Sequence, residues 1–212
     1  MPTSKLDRHP QPRTEKCKEF RDGGGQRQLP YPDQRPRLYL TKTEVELLIK
    51  AAKSVGRHQL RDGALILIAY RHGLRVSEIC DLRWSDVDFE GGLLWVRRLK
   101  HGICTHHPLE GDELRLLRGL QRLYSNSPFI FESETRAALT RQAIFLIVVR
   151  AGRVASLPFP THPHQLRHGC GYYLANKGVS PLAIKSYLGH RDLRQTLHYC
   201  ELAPGQFEGF WR

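Results

Sequence analysis

The chain has 212 residues, enough for one substantial domain with or without a tail, and its 40% hydrophobic content suits a packed core. Lys and Arg outnumber Asp and Glu by 33 to 21, which sets the net charge at +12 and the pI near 9.8. That surplus points to a polyanionic partner, and since no basic amphipathic stretch with a Trp/Phe/Leu face occurs, nucleic acid is favoured over a membrane surface. The longest apolar runs, ALILIAY (64–70) and AIFLIVV (143–149), fall far short of the ~20 residues that span a bilayer. No apolar stretch follows the basic N-terminus as a secretory signal requires. The five cysteines (17, 80, 104, 170, 200) are odd in number and form no C-x-x-C pair, so reduced thiols in a cytoplasmic compartment are expected.

Residues 1–38 carry GGG, six prolines and nine basic against five acidic residues. They read as a flexible basic arm, either a plain tail or one that tracks DNA. Order begins at LTKTEVELLIKAAK, where Thr41 and Glu44 have capping-box spacing and Val45, Leu48, Ile49 and Ala52 repeat on one helical face. A second helix is expected over 60–72, closed near Gly73. A third runs from Val76 to Arg83 and stops at a Ser-Asp-Val-Asp turn. The period then changes: LLWVRR (93–98) reads as strand, LKHGIC as a hairpin tip and THHPL as a returning strand. Helix follows at 110–123, an extended piece at 128–131, and helix again at 140–151, 163–176, 181–188 and 192–200, with Pro163, Ser180-Pro181, Gly178 and Gly189 as start and stop signals. The expected fold is mainly α with a small three-stranded antiparallel sheet, as one domain over 39–212.

Certain residues suit chemistry on a phosphodiester. His164 and Arg167 lie three apart at a helix start, where unsatisfied N–H groups favour an anion. A cap histidine beside a surface arginine would look the same. The wider order is more telling: Arg75 at a helix start, Lys100 on the hairpin tip 25 residues later, then His164, Arg167, His190 and, nine residues on, Tyr199.

This ordered set resembles the tyrosine site-specific recombinases, the phage integrase family. GLRVSEICDLRWSDVD (73–88) is similar to the family's first signature. HPHQLRHGCGYYLANKGVSPLAIKSYLGHRDLRQTLHY (162–199) is similar to its second. The short recombinases of fimbrial phase switching are resembled in particular, including the hairpin RRLKHGICTHHPL. The resemblance covers residues 39 to about 205 and implies the tyrosine recombinase catalytic-domain fold. It also implies that Arg75, Lys100, His164, Arg167, His190 and Tyr199 are catalytic, with DNA broken and rejoined through a 3′-phosphotyrosyl link by four protomers. Activity would then need neither ATP nor a metal.

The chemistry accounts for these residue types. Attack on phosphorus adds negative charge, which two guanidinium groups and a histidine donor can meet in place of carboxylate-held metal ions. Tyr199, with an ordinary pKa near 10, needs a base or a cationic pocket; His164 could help it, and Lys100 could protonate the departing 5′-oxygen. Glu78, one turn after Arg75, either steadies these cations or is a surface partner. The basic neighbours Arg97, Arg98, His101, His168, Arg191 and Arg194 are expected to contact DNA. His106 and His107 point to opposite faces of a strand, so no metal site is expected. Tyr172 and Tyr173 are expected in packing roles. Phe207, Phe210 and Trp211 could cover this chain's own core or dock on a neighbouring subunit.

The partners expected are double-stranded DNA, a homotetramer assembled on it and, where needed, accessory DNA-binding proteins, in the bacterial or phage nucleoid. An arm of 38 residues is too short for the extra helical domain that most family members carry. Two other readings stay open: a type IB topoisomerase-like relaxing enzyme, and a non-catalytic DNA-binding regulator on the same fold.

Overall fold

The computed structural model describes residues 38–98, 103–124 and 127–201. The expected basic arm, Lys100 and His101 on the hairpin tip, Cys17 and the C-terminal aromatics all lie outside the described residues. Among those described, Cys80, Cys104, Cys170 and Cys200 are thiols, and no helix is long and apolar enough to cross a membrane.

Helix α1 (Lys42–Ser54) starts as its sequence requires: the Thr41 hydroxyl accepts from the Glu44 N–H and the Glu44 carboxylate accepts from the Thr41 N–H. Its face of Val45, Leu48, Ala51 and Ala52 packs on α2 (Gln59–Arg71). Helix α2 is buried nearly all round, which is why ALILIAY shows so little amphipathic period. Gly73, at φ +56°, ends it in the left-handed conformation that glycine adopts freely. Helix α3 (Val76–Cys80) is shorter than expected. Beyond it the chain is captured by the 128–130 segment: Trp84 N–H donates to the Pro128 carbonyl and Ile130 N–H to that of Leu82.

Strands β1 (Val87–Asp88), β2 (Leu93–Val96) and β3 (Thr105–Pro108) form an antiparallel sheet in that order. The expected turn at 85–88 thus supplies an edge strand, paired Val87 to Leu94. In contrast, 128–131 contributes only an isolated bridge between Phe129 and Arg83. Leu94, Val96 and His107 face inward while Trp95 and His106 meet on the outer face, their rings tilted by 46° with centroids 4.3 Å apart. Helices α4 (Gly111–Leu123), α5 (Arg141–Val154), α6 (Pro163–Asn176), α7 (Pro181–Leu188) and α8 (Arg194–Glu201) complete the fold. The ends of α6 and α7 coincide with the sequence expectation.

Two apolar cores result. The larger gathers α1, α2, α5 and the inner sheet face around Leu48, Ile66 and Phe131. The smaller is Cys170, Tyr172, Ala175, Ile184, Leu188 and Tyr199, from α6, α7 and α8. At roughly 1.5–3 kcal/mol per fully buried large aliphatic side chain, both are stabilising. Helix α6 serves both, giving Leu166 to the first and Cys170 to the second. Of the candidate catalytic side chains, Arg75, Arg167, His190 and Tyr199 lie along that seam.

Candidate active site

Four short segments meet there: the start of α3, the first two turns of α6, the turn after α7, and α8. Gly73 allows the meeting. A Cβ on it would collide with Leu188, and its carbonyl accepts from both Arg167 Nη1 (2.5 Å) and Arg98 Nη1 (3.4 Å).

Glu78 is the hub. Its side chain is 2% exposed; Arg75 Nη1 lies 2.8 Å from Oε1, Arg98 Nη1 2.7 Å from Oε2, and Arg167 Nη1 3.9 Å from Oε2. The Arg75 N–H also donates to it at 2.8 Å. Burial raises its pKa, but Arg98, Arg75 and Arg167 together outweigh that and hold the carboxyl below its ordinary value. Glu78 is therefore a buried partner of three arginines, not a surface i,i+3 partner of Arg75 alone.

Arg167 donates from Nη2 to the Leu188 carbonyl at 2.7 Å, besides its bond to Gly73. Each terminal nitrogen keeps a second N–H for a ligand. Burial first, then Arg75 and Arg98, lower its pKa to about 10, so it stays charged at neutral pH. Arg75 remains partly open to solvent. His190, in the turn opened by Gly189 at φ +63°, is buried, with Nδ1 2.9 Å from the Thr196 hydroxyl on α8. With that hydroxyl donating, Nε2 carries the hydrogen and is the ring's donor. Burial, then Arg167 and Arg75, lower its pKa to about 3.

Tyr199 is 3% exposed. Its ring lies 6.0 Å from that of His190 and 5.2 Å edge-on from Tyr172. Gly171 makes room for it, since a Cβ there would sit 2.7 Å from the ring. Burial raises the phenol's pKa, while the Arg167 and Arg75 charges both pull it down. The tyrosine hydroxyl meets Nδ1 of His168 at 2.9 Å, not His164. His164 is exposed on the first turn of α6, near the His162 ring at 6.5 Å.

Two expectations are corrected. Arg98, expected on the DNA surface, has a fully buried side chain that also donates to the His72 and Tyr187 carbonyls. Glu78 and the α2 and α7 carbonyls together draw it inward. His168, expected to face DNA, turns toward Tyr199. Arg97, Arg191 and Arg194 are exposed, with Arg97 held by Asp86 at 2.7 Å. Sequence reasoning missed Gly171, Thr196 and Tyr187, none of which carries a charge or motif of its own.

A buried stack lies behind the site. His107 of β3 packs against the Tyr187 ring at 3.8 Å and meets His72 Nδ1 at 3.2 Å; His72 meets Glu113 at 3.2 Å. Burial and the charge of nearby His72 and Arg98 depress His107 to about 2. Folded His107, His168 and His190 therefore stay neutral in mild acid, whereas the unfolded chain protonates its histidines below ~6.5. Stability is full above that pH and falls as pH drops toward the folded values. The Glu78 and Glu113 carboxyls, also held below their ordinary value but as the charged form, keep their contribution until below ~4.5. Melting temperature should thus fall by about 5–15 °C between pH 7 and 5.5; a flat profile over that range would refute the neutral, buried histidines.

The model of the phage integrase family matches residues 38–205. The type 1 fimbriae regulatory protein FimB of Escherichia coli K12 is 39% identical over 184 residues, covering 84% of this chain and 92% of that protein. Tyrosine recombinase XerA of Pyrococcus furiosus is 33% identical over 164 residues, 76% of this chain and 56% of the relative. The crystal structure of XerA recombinase superposes with a TM-score of 0.69 at 25% identity over 82% of this chain, which spans only 65% of that one. The XerH recombinase bound to its palindromic difH substrate shares the fold, with a TM-score of 0.70 at 22% identity. The chain belongs to the phage integrase family of tyrosine site-specific recombinases.

Proposed function

We propose that the chain recombines double-stranded DNA by transesterification, with Tyr199 as nucleophile. The observation that supports this is the buried Tyr199 phenol, its ring 6.0 Å from that of His190 and in the field of the Arg167 and Arg75 guanidinium charges. The Tyr199 oxygen attacks the scissile phosphorus and the P–O5′ bond breaks. The phenolic proton passes, directly or through a water, to His164, which then becomes a donor itself, and the 5′-oxygen takes a proton from Lys100. The two outer oxygens of the phosphate receive the remaining N–H groups of Arg75 and Arg167 and the Nε2–H of His190, where charge grows most in the transition state. His164, beside the unsatisfied N–H groups that open α6, adds a further donor. The 3′-phosphotyrosine keeps the energy of the broken bond, because a phenol leaves more readily than an alkyl alcohol. A 5′-hydroxyl from a second site can then reverse the step without ATP.

Four protomers on two DNA sites would carry the exchange, with Arg97, Arg191 and Arg194 meeting phosphates and accessory DNA-binding proteins aiding assembly. The test uses duplexes carrying candidate inverted-repeat sites, nicked just 3′ of the cut, so that the short fragment bearing the free 5′-hydroxyl diffuses away and the covalent intermediate is trapped. A covalent adduct mapped by mass spectrometry to Tyr199, with exchange between two intact sites, is the expected result. Supercoil relaxation without exchange would favour a topoisomerase, and tight binding without any adduct a regulator.

A further inference from the structure

We propose that His168 is a positioning residue for the nucleophile, accepting the Tyr199 hydrogen bond and fixing where the phenolic oxygen sits relative to the phosphate-binding groups. The inference rests on the reading of Tyr199 as nucleophile. The Tyr199 ring is confined sideways by Gly171, Tyr172 and His190. Those contacts fix the ring's axis and plane but not its end, and the hydroxyl is fixed by His168 Nδ1 at 2.9 Å. A buried hydroxyl without such a partner would be costly.

The position of His168 in the chain gives this contact its meaning. It follows Arg167 directly and lies four residues after His164, so one rigid turn of α6 carries two phosphate ligands and the mark that locates the attacking oxygen. Tyr199 itself sits on α8, a short helix reached through the exposed segment 191–192. Without His168, the distance from oxygen to phosphorus would depend on how that separate helix rests.

The charges around His168 decide between positioning and proton transfer. Burial, followed by His164, Arg167 and His162 on its own element and His198 on α8, lowers its pKa to about 4. The neutral ring with its hydrogen on Nε2 presents the Nδ1 lone pair to the Tyr199 hydroxyl 2.9 Å away. Taking the phenolic proton would place a fourth cation among Arg75, Arg98 and Arg167, from a phenol whose own pKa is raised. Acceptance of a hydrogen bond fits these surroundings; acceptance of a proton does not.

The experiment compares two near-isosteric replacements in the full chain, His168→Asn, whose Oδ1 takes the place of Nδ1, and His168→Leu, which has no acceptor. Single-turnover adduct formation on the nicked duplex is followed from pH 6 to 8, with DNA affinity and thermal melting measured alongside. His168→Leu should form adduct about 10–100-fold more slowly, the scale of a misplaced reacting atom, with DNA affinity within about twofold of wild type. His168→Asn should recover most of that loss and keep the wild-type pH profile. Equal rates in the two variants overturn positioning. An Asn variant as slow as Leu, with a wild-type pH inflexion lost in both, overturns it in favour of a base. If the Leu variant does not fold, His168→Ala against His168→Asn gives the same contrast. Absence of adduct in the wild type strikes the nucleophile reading instead.

Discussion

Tyr199→Phe should abolish covalent attachment to DNA while sparing DNA binding and the fold. The substitution removes one oxygen and leaves the ring in the slot beside Gly171, Tyr172 and His190. No neighbouring tyrosine can replace it. Tyr172 is buried against Tyr39, with burial raising it to about 12, and Tyr173 points out of the site toward Tyr70 and Lys177. Adduct yield should fall by at least about 10⁴-fold, the scale seen when a nucleophile is deleted from a pre-assembled site. Loss of the bond to His168 should cost about 1 kcal/mol, or about 2–4 °C in melting temperature. Gel analysis of the denatured nicked-substrate reaction measures the first effect and calorimetry the second. Residual adduct at wild-type rate would refute Tyr199 as the nucleophile.

Glu78→Gln should be the most damaging change that leaves every candidate DNA-contacting residue in place. Glutamine keeps the shape but removes the one carboxylate bonded to Arg98 among the described residues, where the Arg98 side chain is fully buried, and its amide N–H groups would confront guanidinium N–H groups. Leaving a buried charge without its partner costs about 3–5 kcal/mol, which predicts a melting temperature lower by about 10 °C. Because Glu78 is held below its ordinary pKa, its contribution is present above ~4.5 and fades only as pH falls through the folded value. The mutant deficit should therefore be constant from pH 6 to 8. Adding Arg98→Met should restore part of the stability, since the unpaired charge is then gone. A fall of under about 1 kcal/mol in Glu78→Gln would show that the cluster relaxes into solvent.

Helices were legible where local chemistry sets their ends. Thr41 with Glu44, Ser180-Pro181 and Gly189 each act within one turn, so spacing along the chain reveals them. The end of α3 and the two-residue strand β1 depend on pairing with distant segments, which spacing does not record. The same division applies to the site. Arg75, Arg167, His190 and Tyr199 showed as an ordered series of types, and the structure gathers them. Arg98 and His168 were visible as charges but not as directions: a carboxylate inward of one and a phenol inward of the other decide where they point. Thr196 and Gly171 act through a hydroxyl contact and a missing methyl group, which have no signature in composition.

The His107–Tyr187–His72 stack has a mechanical consequence. It binds the return strand of the Lys100 hairpin, the last turn of α7 that leads to His190, and the end of α2 that leads to Arg75. Close packing leaves little slack among these three pieces. A displacement of β3 is therefore shared with the segments that carry His190 and Arg75, so the three pieces shift as one body or not at all.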